Sequence, residues 1–272
     1  MADALIYIAV AGLAVFFLAR WALARRRRAR LMAAPLSSTH RAIVSKRAPL
    51  YEKLPDELRP RFEGLVNRFL DEVTFHGQAG LTVSEDMRVT IAAHACFLIV
   101  NKPNRWFDTL RTIHLYPAAF KSRLTETRGH VHSERETVRS GESWRRGPVI
   151  LAWDQAAYGA FIPHDGRNVV FHEFAHQLDE QTGVVDGAPA LDKGQSAGRW
   201  AHVFQDAYAR LRDDAAAGRP TLLDPYGATA PAEFFAVATE VFFERPRDLQ
   251  AAEPELYGEL SQYYRLDPAA WG

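Results

Sequence analysis

Residues 169–180 read VVFHEFAHQLDE, and this stretch decides what the surrounding chain must build. On a helix at about 100° per residue, His172, His176 and Asp179 fall within about 60° of one another, while Phe171, Phe174, Ala175 and Leu178 form the opposite face. One face packs into a core. The other presents two imidazoles one turn apart, the spacing that two neighbouring positions of a tetrahedral zinc require. His172-Glu173-Phe174-Ala175-His176 is the H-E-x-x-H pattern. Glu173 projects between the faces, near a metal but badly aimed to bind it. That suits a general base, which takes a proton from water and passes it to a leaving amine.

A catalytic zinc needs a third protein ligand and one position left for water. No third histidine follows at the H-E-x-x-H-x-x-G-x-x-H spacing, because residues 177–182 read QLDEQT. Residues 230–246, APAEFFAVATEVFFERP, offer Glu233, Glu240 and Glu244 instead. Pro231 suits the first turn of a helix, with Glu233 just inside it. Glu233 and Glu240 are seven apart and share nearly one face, so periodicity leaves the choice between them open. Asp179 is either a partner that holds an imidazole or a helix-end charge.

Further out, helical spacing of apolar residues predicts helices over 58–73, 87–100, 199–217, 231–244 and 254–265, besides the one over 169–179. Short runs at 112–116 and 149–153 read as strands. The fold class is therefore α+β: one predominantly helical domain with a small sheet. Gly194-Gln195-Ser196-Ala197-Gly198 matches the nucleophile elbow of serine hydrolases, but no strand precedes it, so Ser196 is set aside. Cys96 lies in an apolar helix and reads as inert core.

The chain has 272 residues, 47% hydrophobic and 24% charged, which excludes disorder and, with one cysteine, a disulfide scaffold. Its formal net charge of zero hides an asymmetry: residues 1–47 hold nine basic residues and one acid, leaving 24 basic and 32 acidic residues beyond, a net of −8. An acidic body repels phosphate, so nucleic acid is not an expected partner. Residues 4–24, ALIYIAVAGLAVFFLARWALA, carry Arg20 as their only charge and would span roughly 31 Å as a helix, about a bilayer's hydrocarbon core. Arg25-Arg26-Arg27-Arg28 follow at once. The order is wrong for a cleaved signal, and the positive-inside rule puts everything beyond Arg25 in the cytoplasm. The sequence thus predicts a transmembrane helix with an Arg-rich flank over 1–30, a linker over 31–52 and a zinc peptidase domain over 53–272. The expected location is a single-pass protein of the inner membrane, with the catalytic domain in the cytoplasm.

Several stretches between about residues 54 and 268 resemble one family. They are Ser140-Gly141-Glu142-Ser143-Trp144, Gly147-Pro148-Val149-Ile150-Leu151-Ala152-Trp153, HEFAHQLD, Asp224-Pro225-Tyr226-Gly227, Pro231-Ala232-Glu233-Phe234-Phe235-Ala236-Val237 and Gln262-Tyr263-Tyr264-Arg265-Leu266-Asp267-Pro268. The chain resembles the Mlc titration factor A family, zinc-dependent peptidases with a gluzincin-type site. The resemblance implies a zincin-like domain, a Zn2+ ion held by His172, His176 and Glu233, and aminopeptidase-like cleavage of short peptide substrates with Glu173 as base. It also implies that Tyr226 lines the site, where a phenol could donate a hydrogen bond to a tetrahedral oxyanion. The alternative expectation is a regulatory module that sequesters a transcription factor as protein partner, with a mainly structural zinc.

Overall fold

The computed structural model describes residues 2–103, 105–118, 120–128, 131–139, 141–143, 147–162 and 164–271. Helices α1 (Ala2–Ala33), α2 (Ser38–Arg47), α3 (Leu50–Lys53) and α4 (Arg59–Glu72) lead into strand β1 (Thr74–Gly77) and helix α5 (Glu85–Phe97). Strands β2 (Thr112–Tyr116), β3 (Phe120–Arg128), β4 (Val131–Arg139), β5 (Gly141–Ser143) and β6 (Val149–Ala152) follow. The remainder is helical: α6 (Trp153–Phe161), α7 (Val169–Asp179), α8 (Ala197–Ala216), α9 (Pro231–Glu244), α10 (Pro246–Ala252) and α11 (Pro254–Tyr264).

The molecule is mostly helical with a small sheet. Strands β1, β2 and β6 run parallel, and β5 adds an antiparallel edge in the order β1-β2-β6-β5. The register pairs Ile113 with Val149 and Leu115 with Leu151, so four buried side chains share one face. The ribbon β3–β4 stands apart as a two-stranded antiparallel pair. Helix α5 is buried along its length from Val89 to Phe97, as its nearly continuous apolar sequence demands.

Helix α7 lies between α5 and α9. Its apolar face is wholly buried: the Phe171 ring stacks on Phe243 at 4.8 Å, and Phe174 meets Phe107 at 4.9 Å and Phe69 at 5.7 Å. Each such side chain contributes about 1.5–3 kcal/mol by leaving water, so this face fixes the helix's rotation and turns His172 and His176 the other way.

The N-terminal expectation is overturned. Among the described residues no helix is long and apolar enough to cross a membrane. The transmembrane helix does not stand, nor does the single-pass inner-membrane location that rested on it. The physical reason lies in where the helix goes. Helix α1 runs unbroken through Arg20 and the arginine run to Ala33, and its far end docks on α4. Arg28 Nε meets Glu72 Oε1 at 2.6 Å and Arg27 pairs with Asp71, so two arginines of the expected cytoplasmic flank bind acids of the folded body. Gly64 lets the helices close, since a Cβ there would stand 2.3 Å from the Met32 carbonyl oxygen. Where the sequence reads a linker, α2 and α3 form, and Val44, Ala48 and Tyr51 enter the core.

Glu63 fastens this N-terminal segment. Its carboxylate accepts from Arg41 Nε and Nη2 at 3.0 Å each, from Tyr51 Oη at 2.6 Å and from the Leu36 N–H at 2.9 Å. Burial alone would raise its pKa, but these donors bring it below the ordinary 4.5. Glu63→Ala is expected to cost about 2–4 kcal/mol, less than a fully enclosed pair because Arg41 is half exposed. A depressed carboxyl pKa contributes stability above the unfolded value and loses it as pH falls through the folded one. Urea unfolding at pH 7 and pH 3 should therefore separate parent and variant more at pH 7.

Candidate metal centre

The site begins with a helix cap. Asn168 Oδ1 accepts the N–H groups of Val170 and Phe171 at 3.2 Å each, which starts α7 and places His172 in its first turns. The same residue reaches across to α9. Its N–H donates to Glu240 Oε2 at 2.6 Å, and its Nδ2 donates to Glu244 Oε1 at 3.0 Å. Pro231 stands at the start of α9, and Glu233 lies in the first turn.

Glu233 faces the two imidazoles. His172 Nε2 lies 2.9 Å from Glu233 Oε2, His176 Nε2 lies 3.4 Å from the same oxygen, and the two Nε2 atoms are 3.3 Å apart. Among the described residues this is the one group of three or more His, Cys, Asp or Glu side chains whose ligand atoms converge in this way. A tetrahedral zinc with bonds of about 2.0–2.2 Å needs ligand atoms about 3.3–3.5 Å apart, and the triangle observed is close to one face of that figure. The charges agree. Three carboxylates (Glu173, Glu233 and Glu240) surround two imidazoles, an arrangement that favours a cation at the Nε2 atoms.

The same field shifts the titrating groups. Burial would lower the His172 pKa, but the Glu233 and Glu240 carboxylates raise it well above the ordinary imidazole range. Burial would raise Glu233, yet hydrogen bonds from His172 and His176 hold it far below the usual carboxylate range. Glu173 is 4% exposed, and burial keeps its carboxyl above the ordinary value despite the two imidazoles. Its Oε2 finds no hydrogen-bond partner among the described residues. Tyr226 sits in a 3-10 turn with its ring centre 6.0 Å from that of His172, and it is half exposed. Asp224 caps that turn through the Tyr226 N–H at 2.9 Å and pairs with Arg167 at 2.7 Å, fastening the tyrosine loop to the segment before α7.

The structure thus brings His172, His176, Glu173, Glu233 and Tyr226 to one place. Glu240 is the residue that sequence reasoning did not assign. It accepts from His172 Nδ1 at 2.7 Å, which fixes the ring's orientation and leaves Nε2 to face Glu233. The signal is there in the spacing: seven residues are two helical turns, so both glutamates have to face α7. Spacing alone makes them rivals for one position, whereas each takes one nitrogen of the same ring. Among the described residues Asp179 holds no imidazole. Its Oδ2 accepts the Gly187 N–H at 2.7 Å, and burial pushes its pKa up to about 6. Ser196 caps α8 through the Arg199 N–H at 3.2 Å, and the Cys96 thiol is buried with its pKa pushed up, both in keeping with the sequence. Ser140 and Trp144, which carry part of the family resemblance, lie outside the described residues.

Comparison with known proteins agrees with this geometry. Residues 21–265 match the family model described as glucose-regulated metallo-peptidase M90. An uncharacterized protein of Synechocystis sp. is 41% identical over 244 residues, 89% of each chain. Mlc titration factor A of Salmonella arizonae is 33% identical over 228 residues, 81% of this chain and 88% of its own. That of Salmonella typhi is likewise 33% identical, over 81% of this chain and 84% of its own. With the match running from the arginine-rich half of α1 through α11, and the relatives covering most of both chains, this protein belongs to the glucose-regulated metallo-peptidase M90 family, alongside Mlc titration factor A.

Proposed function

We propose that the protein is a zinc-dependent metallopeptidase that cleaves short peptides in an aminopeptidase-like manner. The observation that carries this reading is the near-tetrahedral face formed by His172 Nε2, His176 Nε2 and Glu233 Oε2, with the unpartnered carboxylate oxygen of Glu173 beside it. These three side chains would hold the zinc, which when bound supplies polarisation of the peptide carbonyl and acidification of water. Glu173 takes the proton from the water that attacks the carbonyl carbon. Its burial keeps the carboxylate basic enough for that task. As the C–N bond breaks, Glu173 returns the proton to the departing nitrogen, leaving a carboxylate and an amine as products. Tyr226, held over His172 by the Asp224–Arg167 link, would donate its phenolic hydrogen to the oxyanion of the tetrahedral intermediate. Glu240 keeps the His172 ring turned so that Nδ1 is occupied and Nε2 is offered.

A second reading is a regulatory role, in which the chain captures a protein partner. The relatives' description as titration factors supports it. A structural metal, however, needs no base beside it and usually has its fourth position closed by a further protein ligand. A buried carboxylate at Glu173, with its Oε2 lacking a hydrogen-bond partner among the described residues, suits catalysis better.

Glu173→Gln separates the two readings. It should retain metal content and the circular dichroism of the parent while lowering kcat on short peptides by about 10²–10⁴-fold. Hydrolysis at the parental rate would sink the catalytic reading. Glu240→Gln tests the support of His172: metal affinity, followed by competition with a chromogenic chelator, should fall by about 10–100-fold. Glu233→Ala, which removes a direct ligand, should lose more than that. Equal affinities in all three proteins would place the metal elsewhere.

A further inference from the structure

Glu244 takes no part in the proposed mechanism, yet it stands on the face of α9 that builds the metal centre. Glu240 and Glu244 lie seven and eleven residues beyond Glu233, so at about 100° per residue all three side chains leave α9 within about 40° of one another. Glu233 and Glu240 meet the two nitrogens of His172. Among the described residues Glu244 instead accepts from Asn168 Nδ2 at 3.0 Å, on Oε1, and from the His164 N–H at 2.8 Å, on Oε2.

Local physics disfavours a carboxylate in this place. Glu244 is 6% exposed and is the last residue of α9, where the helix dipole is negative. Glu240 and Asp165 add negative fields of their own, and both donors to its oxygens are neutral N–H groups. The turn at His164, with φ +81°, does not call for the charge. His164 Nδ1 already donates to the Glu244 carbonyl oxygen at 2.9 Å, and Asp165 Oδ1 takes the Arg167 N–H at 2.8 Å.

What the carboxylate supplies is an orientation. It can only accept, so Asn168 turns Nδ2 toward Glu244 and Oδ1 toward α7, where Oδ1 takes the N–H groups of Val170 and Phe171 at 3.2 Å each. An amide at position 244 would accept with one atom and donate with the other, and so would suit either setting of Asn168. The main chain of Asn168 is held close as well, since a Cβ on Gly159 of α6 would stand 3.0 Å from its Cα. From that fixed point its N–H donates to Glu240 Oε2 at 2.6 Å, and Glu240 Oε1 accepts from His172 Nδ1 at 2.7 Å. One connected path thus runs from Glu244 through Asn168 and Glu240 to the His172 ring.

We propose that Glu244 is a positioning residue of the metal centre, setting His172 through Asn168 and Glu240. The proposal rests on the reading of His172, His176 and Glu233 as zinc ligands. Its test uses the full-length protein and competition for Zn2+ with a chromogenic chelator. Glu244→Gln, nearly isosteric, should lower affinity by about 3–10-fold, less than Glu240→Gln, whose partner is the ring itself. In a Glu240→Gln background the same change should lower it by less than about 2-fold, because the path is already broken. Asn168→Ser keeps a capping side chain and the main-chain N–H but removes the amide. It should match Glu244→Gln in its loss, and the two combined should lose no more than either alone. Parental affinity in Glu244→Gln, or losses that multiply in either double variant, would overturn the proposal. Should Glu244→Gln fail to fold, Asn168→Ser, alone and combined with Glu240→Gln, carries the same test.

The metal-free protein gives a readout that does not depend on zinc. In proton–nitrogen correlation spectra of the imidazoles, the His172 Nδ1–H held by Glu240 should exchange slowly with water, its signal identified by its absence from His172→Ala. In Glu244→Gln it should exchange at least about 10-fold faster. Unchanged exchange would overturn the proposal. If the parent binds no zinc, the metal reading fails, and the exchange rate alone upholds or overturns the role of Glu244.

Discussion

One imidazole sets the geometry of this molecule. His172 is gripped at both ring nitrogens by a single helix, with Glu233 at Nε2 and Glu240 at Nδ1. The two glutamates are two turns apart on α9, so the pair fixes the axial position of α9 against α7 as well as the ring's rotation. On the opposite side of α7, Phe171 stacks on Phe243 of the same α9. Polar and apolar contacts therefore demand the same relative placement of the two helices. That agreement between levels is what allows a site of three or four side chains to hold its shape to within a fraction of an ångström.

Such a grip has an energetic cost. Glu233, Glu240, Glu244 and Glu173 lie within one small region, where burial raises the energy of a charged carboxylate. The consequence is visible at Glu244, whose pKa burial pushes up to about 7 even though its oxygens accept the His164 N–H at 2.8 Å and Asn168 Nδ2 at 3.0 Å. The donors of Asn168 and His164 offset part of that cost, and the imidazoles offset part of the rest. Two carboxylates, Glu233 and Glu240, meet the one ring of His172, so negative charge gathers around it. A dication at that point would relieve it, so the metal proposed for the site would also complete the electrostatics of the core.

The legibility of this arrangement in the sequence followed its periodicity. Helix α7 announced itself through a two-faced pattern, and the structure buries Phe171, Phe174, Ala175 and Leu178 as that pattern requires. The strands at 112–116 and 149–152 were legible for the same reason, being short apolar runs between breakers. Two things were not. The separate roles of Glu233 and Glu240 depend on which nitrogen each carboxylate reaches, a distance of a few ångströms that spacing along one helix cannot encode. The N-terminal segment misled because hydropathy weighs each residue alone. Arg27 and Arg28 acquire their role from Asp71 and Glu72, more than forty residues away, and no local window contains that pairing. The loop at Gly187 was likewise silent, since its glycine is required by the approach of Pro231 from a distant helix.

Helix α7 also breaks a rule that most of the core obeys. Glu173 Oε2, His176 Nδ1 and Asp179 Oδ1 are buried and lack a hydrogen-bond partner among the described residues. Each such atom costs about 1–3 kcal/mol relative to a satisfied one, so the three together are a large fraction of a domain's net stability. A helix selected for stability alone would carry apolar side chains there, as its other face does. Polar atoms left unpaired on the helix that carries His172 and His176 are what a site must keep available if its groups are to accept a proton or meet a ligand. The strong aromatic packing behind α7, and the cap that Asn168 makes at its start, hold the helix in place while its other face stays unsatisfied.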